Sequence, residues 1–405
     1  MSRVPSGPVA TYYAYTVTTY ASFTTAIWIL FVRAQGLSFA EVGALNSVWW
    51  AGLVLGEIPT GYLGDRLGRR NSMILGTAII TAMTVAMAHS TTFLQFAVVY
   101  GLWALGQTFR SGSDDAWLYE VLRDESRGGT GGGDFARVKG RATGIGLAVG
   151  AVAAPAGGAL ADADFQLPFY ATAAVTAVGI PILLTVPESG EGPDSSFDVR
   201  TALGVIRRQL ARPPLRAFVV YFALLFGVFQ MTYIFDQPVA QDAALAVGVP
   251  ESATKTAVGV VYAGFTAVAA VVSYGTGTIK ERLGIRGWFV LAPVVVGGLF
   301  LALWVLPVLA VPAFFVARAA NTASVTLGNQ YLNDRVESVG RATVLSSASM
   351  ALSLAVIPFE LTGGVLADLL SPVRALALFG GVLVVGVGLL WLTSEPVERA
   401  SSTEG

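Results

Sequence analysis

Four carboxylates and two guanidinium groups stand inside stretches of this chain that are otherwise apolar. Arg110, Asp114 and Asp115 fall within residues 92–119, Asp236 near one end of 213–238, Arg318 within 308–332 and Glu360 within 341–369. Burying a charge among apolar groups is costly, so such residues mark proton or substrate pathways unless they pair. The spacing leaves several arrangements open. Arg110 and Asp114 are one helical turn apart and can neutralise each other, leaving Asp115 as a proton-binding acid or a gate partner. Alternatively Asp114, Asp115 and Glu120 cap a charged loop by pairing with Arg66, Arg69 or Arg141. Asp236 either binds a cation or proton or faces external water, and Arg318 and Glu360 either serve proton exchange or form a structural ion pair.

Other chemistries lack their residues. The chain has no cysteine and one histidine, His89, so neither a thiolate or histidine metal centre nor a catalytic triad is expected, and no cofactor. No nucleophile, base and metal set converges, which argues against an enzyme. The run Gly128, Gly129, Thr130, Gly131, Gly132, Gly133 lacks the Lys-Ser/Thr of a phosphate loop and reads as a linker. A net charge of −1 gives no footprint for nucleic acid.

The elements that must position these charges are membrane spans. Hydrophobic residues make up 54% of the 405 and charged residues 13%, with a mean hydropathy of +0.65. A soluble fold could not hide that much apolar surface. Twelve stretches are long enough to cross a bilayer: 9–33, 38–63, 71–89, 92–119, 137–161, 166–186, 213–238, 252–278, 287–306, 308–332, 341–369 and 372–393. The fourth is the weakest, interrupted by its own charges. No cleavable leader is expected at the start. With the N-terminus inside, twenty of the 25 Lys and Arg collect on the cytoplasmic side, which places both termini there. Residues 187–212 open as a polar linker. Val199, Ala202, Leu203, Ile206 and Leu210 then recur at helical spacing opposite four arginines, which predicts an amphipathic helix on the cytoplasmic leaflet.

The two ends of the chain repeat each other. Gly140-Arg141-Ala142-Thr143 returns as Gly340-Arg341-Ala342-Thr343, an offset of 200. Gly157-Gly158-Ala159-Leu160-Ala161-Asp162 answers to Gly363-Gly364-Val365-Leu366-Ala367-Asp368, offset 206. Asp65-Arg66-Leu67-Gly68-Arg69-Arg70 matches Glu281-Arg282-Leu283-Gly284-Ile285-Arg286, offset 216. Three matches in order, at equivalent loops, predict a six-plus-six parallel repeat, an architecture of transporters. The expected division is a bundle over 1–187, a linker over 188–212 and a second bundle over 213–405.

Gly61-Tyr62-Leu63-Gly64-Asp65-Arg66-Leu67-Gly68-Arg69-Arg70 resembles the signature G-x-L-x-D-R-x-G-R-[RK] of the major facilitator superfamily, in the loop where that family carries it. The resemblance implies an all-α membrane fold of twelve helices in two pseudo-symmetric six-helix bundles. It also implies a cytoplasmic gate of Asp65 with Arg66, Arg69 and Arg70, to which Glu57 and Glu120 would belong. Gly61 and Gly68 allow tight approach and turning there. The family's span-five element in antiporters, G-x-x-x-G-P-x-x-G-G, is similar to the run Gly150–Gly158, although Ala154 replaces a glycine and one residue is missing before the pair. Gly146, Gly150, Pro155, Gly157 and Gly158 are therefore expected to permit close helix contact and a bend.

Spans one, four, seven and ten line the cavity in the family, which brings Tyr15, Tyr20, Phe229 and Tyr233 to a substrate site with the charges above. An aromatic cavity with few acids suits an amphipathic or cationic organic molecule. The expectation is a secondary transporter working by alternating access, exporting such a compound in exchange for protons. It would sit as a monomer in the lipid bilayer of a prokaryotic plasma membrane. The alternatives are a proton-coupled importer of a small metabolite and a non-transporting sensor or scaffold.

Overall fold

The computed structural model describes residues 7–127, 134–186, 188, 213–336 and 341–398. The linker helix expected within 187–212 and the glycine run 128–133 lie outside the described residues. All regular structure among the described residues is helical: α1 Gly7–Tyr20, α2 Trp28–Ala34, α3 Phe39–Leu67, α4 Arg69–Ala88, α5 Phe93–Arg127, α6 Phe135–Ala163, α7 Leu167–Leu184, α8 Pro213–Met231, α9 Asp236–Ala246, α10 Thr254–Ala302, α11 Ala310–Arg335, α12 Arg341–Leu369 and α13 Pro372–Ser394. Eight helical segments among the described residues are long and apolar enough to cross a membrane. The long α10 holds the expected spans eight and nine, and bends where Gly284 leaves helical geometry at φ 65°.

The chain forms two compact units. One holds residues 1–37, 48–195 and 244–266, and the other 38–47, 196–243 and 267–405. In the first, Tyr12, Tyr15, Met73, Trp117, Leu118 and Leu183 share one buried cluster. In the second, Phe218 packs edge-on to Phe289 and lies 4.2 Å, centroid to centroid, from the ring of Tyr331.

Two spans read as continuous are broken. The first stops at Tyr20 and resumes at Trp28, and the cause is the polar run Ser22, Thr24, Thr25. Hydroxyls in such a run compete for backbone partners. Ser22 and Thr24 share a hydrogen bond of 3.1 Å, and the freed Phe23 N–H donates to Thr172 Oγ1 at 2.9 Å. The seventh span breaks likewise, through a 3-10 turn at Thr232–Ile234 before α9 starts at Asp236. Irregular backbone at membrane depth persists only where protein satisfies it, and interruptions in corresponding spans of a repeat point to the binding site.

The repeat is legible in the backbone. Gly68 and Gly284, 216 residues apart, both have positive φ, 86° and 65°. Gly157 is a second point of constraint, because a Cβ there would collide with the Phe23 carbonyl in the break of span one. Gly144, on the same helix, has open space beside it. Gly144→Ala is therefore expected to be neutral or to stabilise by about 0.5–1 kcal/mol. Gly157→Ala should destabilise by about 1–3 kcal/mol through overpacking. Thermal melts of the two purified variants check the opposite signs.

Candidate functional site

In the second unit the break in span seven carries a buried ion pair. Asp236 is 1% exposed and starts α9, and Arg318 on α11 reaches its Oδ2 with Nη2 at 2.9 Å. The Arg318 guanidinium also lies 3.7 Å from the centroid of the Tyr233 ring. Tyr233 lies in the 3-10 turn and Asp236 starts the helix after it, so one guanidinium is held by the break and by the helix that leaves it. A charge-assisted bond and a cation–π contact together compensate the desolvation of the arginine. One turn along α11, Asn321 Nδ2 donates to Gln230 Oε1 at 3.4 Å, while Asn321 Oδ1 is buried with no hydrogen-bond partner among the described residues. Gln237 is fully buried beside Asp236 in sequence. The arrangement offers a carboxylate, a guanidinium cation, an aromatic face and amides.

Two expectations about these residues change. Asp236 does not face external water, because the break turns it inward against Arg318. The partners found for Arg318 are Asp236 and the Tyr233 ring, where the sequence also suggests Glu360. Glu360, 1% exposed, instead accepts from Asn46 Nδ2 at 3.2 Å. Phe229, 1% exposed, is packing in the unit's interior.

The first unit holds a second cluster. Lys139 on α6 lies 2.5 Å from Asp115 Oδ1 and 3.3 Å from Asp114 Oδ2, and donates to Tyr12 Oη at 3.0 Å. One oxygen of Asp114, Oδ1, is buried with no hydrogen-bond partner among the described residues. Arg110 does not neutralise Asp114. Its Nη2 donates to Gln107 Oε1 at 3.0 Å, and the lysine takes the acid because it approaches from the neighbouring helix. Tyr15 is buried, with its hydroxyl 3.0 Å from Thr77 Oγ1. Tyr20 is 41% exposed, its ring lying where a Cβ on Gly146 would stand. Gly150 has the Tyr20 carbonyl at ordinary contact distance, 3.7 Å. Gly158 backs onto the Lys255 carbonyl, and Pro155 faces Gly259.

Sequence reasoning missed Lys139, counting it only as a topological charge. A signal existed in composition. The chain has 22 arginines and three lysines, and two of those lysines, Lys139 and Lys255, each contact an aspartate. A compact ammonium fits between close carboxylates where a planar fork does not.

Around the loop between α3 and α4, Arg69 Nε is 4.0 Å from Glu120 Oε1, a half-buried pairing at the limit of ion-pair distance. Arg70 makes the firmer contact. Its backbone N–H donates to Glu188 Oε1 at 3.1 Å, its Nε is 3.5 Å from Glu188 Oε2, and its Nη1 donates to the Val186 carbonyl. Glu188, read from sequence as linker, thus caps α4 just after Gly68. Arg66 lies over the Tyr62 ring at 4.4 Å, and Glu57 is exposed. Gly61 has nothing within 4 Å, so no close approach explains it. The side chain of Asp65 lies outside the described residues.

Comparison with known proteins places this geometry. A family model described as Major Facilitator Superfamily matches residues 10–358. An uncharacterized MFS-type transporter, YxaM of Bacillus subtilis (strain 168), is 26% identical over 104 residues, which is 25% of this chain. The match spans about a quarter of that relative's own length, 26%. Among solved structures, the nucleoside transporter NupG (D323A mutant) aligns with a TM-score of 0.81 at 16% identity, covering 95% of this chain and 98% of that one. A bacterial homolog of the human lysosomal transporter Spinster, inward-facing and unoccupied, aligns at 0.75 with 17% identity, over 97% and 98%. A D-xylose-proton symporter aligns at 0.67 with 16% identity, over 95% and 96%. At these identities the likeness is one of fold.

The buried pair makes a sharp prediction. Asp236→Asn leaves the Arg318 charge without its carboxylate and should cost about 3–5 kcal/mol of stability. Adding Arg318→Gln removes the orphaned charge and should recover most of that loss. Melting curves of the single and double variants in one detergent check it.

Proposed function

Because this chain belongs to the Major Facilitator Superfamily, we propose that it is a secondary active transporter in which a cationic or amphipathic organic solute and a proton compete for Asp236. One observation carries the reading. Asp236 is buried at the break of span seven, with Arg318 bonded at 2.9 Å and backed by Tyr233. A substrate cation that takes the carboxylate displaces Arg318, or a proton that takes it releases Arg318. Both cannot hold the acid at once. Competition for one carboxylate, exposed alternately to the two sides, is antiport, and with protons entering the cell it exports the solute. The Tyr233 face and the Gln230–Asn321 amides supply stacking and hydrogen bonds for the rest of the ligand. The Lys139–Asp114–Asp115 cluster serves as the corresponding polar centre of the first unit. The setting is the plasma membrane of a prokaryote, with both termini cytoplasmic.

Arg318 also supports a second reading. A solute that presents an acceptor to the guanidinium frees Asp236 to take a proton, so substrate and proton bind together, which is symport and import. Fold neighbours titled as a nucleoside transporter and a D-xylose-proton symporter belong with that alternative. The sign of coupling separates the two.

Proteoliposomes loaded with a pH-sensitive dye, screened with organic cations, nucleosides and sugars, provide the test. Antiport predicts that a cation added outside drives proton exit from the lumen, and symport predicts that the solute carries protons in. In Asp236→Asn the coupled proton movement should fall at least about tenfold, the loss of one strong charge-assisted contact. Full proton coupling in that variant would remove Asp236 from the mechanism. No flux with any compound, from protein shown to be folded, would favour a sensor or scaffold.

A further inference from the structure

The repeated hexapeptides Gly157–Asp162 and Gly363–Asp368 do the same physical work twice. In the first unit, Asp162 at the end of α6 accepts from the backbone N–H groups of Lys255 and Thr256 at 3.1 and 2.9 Å, and from Thr256 Oγ1 at 2.6 Å. These are the first turn of α10. In the second unit, Asp368 at the end of α12 accepts from the N–H groups of Phe39 and Ala40 at 2.9 and 2.8 Å, the first turn of α3. Lys255 and Thr256 are Phe39 and Ala40 shifted by 216, and Asp368 is Asp162 shifted by 206, so both partners obey the repeat.

The backbones approach closely enough to make this a seal. A Cβ on Gly158 would collide with the Lys255 carbonyl, and one on its counterpart Gly364 with the Phe39 carbonyl. A Cβ on Gly259 would collide with the Ala154 carbonyl, and one on its counterpart Gly43 with the Glu360 carbonyl. A helix N-terminus leaves its first N–H groups without intrahelical partners. In α3 the local sequence already supplies part of the answer, for Ser38 and Glu41 form a capping box, with Ser38 N–H on Glu41 Oε2 and Glu41 N–H on Ser38 Oγ. Phe39 and Ala40 are the donors the box leaves open, and Asp368 takes both.

We propose that Asp162 and Asp368 are the gating residues of the outer side: each latches the starting turn of a helix from one half of the repeat to the end of a helix from the other, and each cycle of alternating access releases both. Only the release in each cycle rests on the transporter reading. The capping contacts that hold the seal stand without it. The two latches differ in strength. The first carries Lys255, with Nζ 3.6 Å from Asp162 Oδ1, and its acid is largely buried. In the second Phe39 stands in the lysine's place, and Asp368 is exposed, so Asp162 holds more firmly.

The chain has no cysteine, which makes the test direct. Ala161→Cys and Ala367→Cys place single thiols beside the caps, at positions that are 2% and 5% exposed. Labelling of cells or right-side-out vesicles with a membrane-impermeant maleimide then reads opening of the outer side. Asp162→Ala should raise the labelling rate at position 161 about fivefold or more, and Asp368→Ala should raise it at 367 by less. Asparagine keeps one acceptor oxygen where Asp162 uses two, so Asp162→Asn should raise labelling, but by less than Asp162→Ala. Thr256→Val, which removes one of the three bonds and keeps the acid, should raise labelling about twofold to fivefold even if Asp162→Ala does not fold. Parental rates in the alanine variants would overturn the proposal. Labelling needs no substrate. Opened latches with no flux in proteoliposomes would therefore sink the transport reading and leave the latches standing.

Discussion

A polar group placed in hydrocarbon has no water to fall back on, and every unusual feature of this chain is a way of meeting that constraint. Most of the apolar backbone among the described residues satisfies itself by coiling into helices. Where a helix stops at membrane depth, something else has to accept or donate. In span one the freed Phe23 N–H goes to Thr172, and glycine at 157 lets the broken strand of backbone lie against α6. In span seven the break delivers Asp236 to Arg318. At the starts of α3 and α10 the open N–H groups go to Asp368 and Asp162. The same rule that keeps charges out of membranes turns each retained charge into half of a pair, and a pair whose partner can be exchanged is a switch.

The repeat shows which of these pairs is architecture and which is specialised. Gly68 and Gly284 turn alike, the two aspartate caps correspond residue for residue, and glycines 43 and 259 lie against corresponding carbonyls. The correspondence fails at individual side chains: the Lys255 ion pair and the Thr256 hydroxyl bond meet Phe39 and Ala40 in the other copy, and Glu360 is a further case. Glu360 bonds Asn46 in the second unit, whereas the counterparts at the same offsets are Ala154 and Tyr262. A contact present in both copies serves the fold they share. One present in a single copy needs another reason, and Glu360 is buried without any structural demand that its counterpart also meets.

Much of this was legible in the sequence because it lives on composition and period. The twelve spans, the offset repeats and the loop from Gly61 to Arg70 are local patterns, and a charge inside an apolar stretch is visible without a structure. Pairing was less legible. Asp114 and Arg110 are one turn apart, yet the carboxylate is taken by Lys139 from another helix, since proximity along a helix does not decide which neighbour approaches head-on. Asp236 read as near a span end because the 3-10 break that turns it inward has no strong signal beyond Thr232 before an aromatic pair. Glu188 looked like linker and proved to be a cap. The hexapeptides ending in Asp162 and Asp368 were visible as a repeat, but their partners lie about 93 and 329 residues away in sequence, where no period reaches.

The account turns on Asp236 being the acid that trades Arg318 for a proton, and infrared difference spectroscopy tests that without knowing the substrate. Purified protein would be titrated with acid while the absorption of protonated carboxyl groups is followed, in the parent chain and in Asp236→Asn. The account predicts that Asp236 contributes a component of that absorption that grows as pH falls in the parent and is missing from the variant. A band of the same size and pH dependence in Asp236→Asn would contradict it.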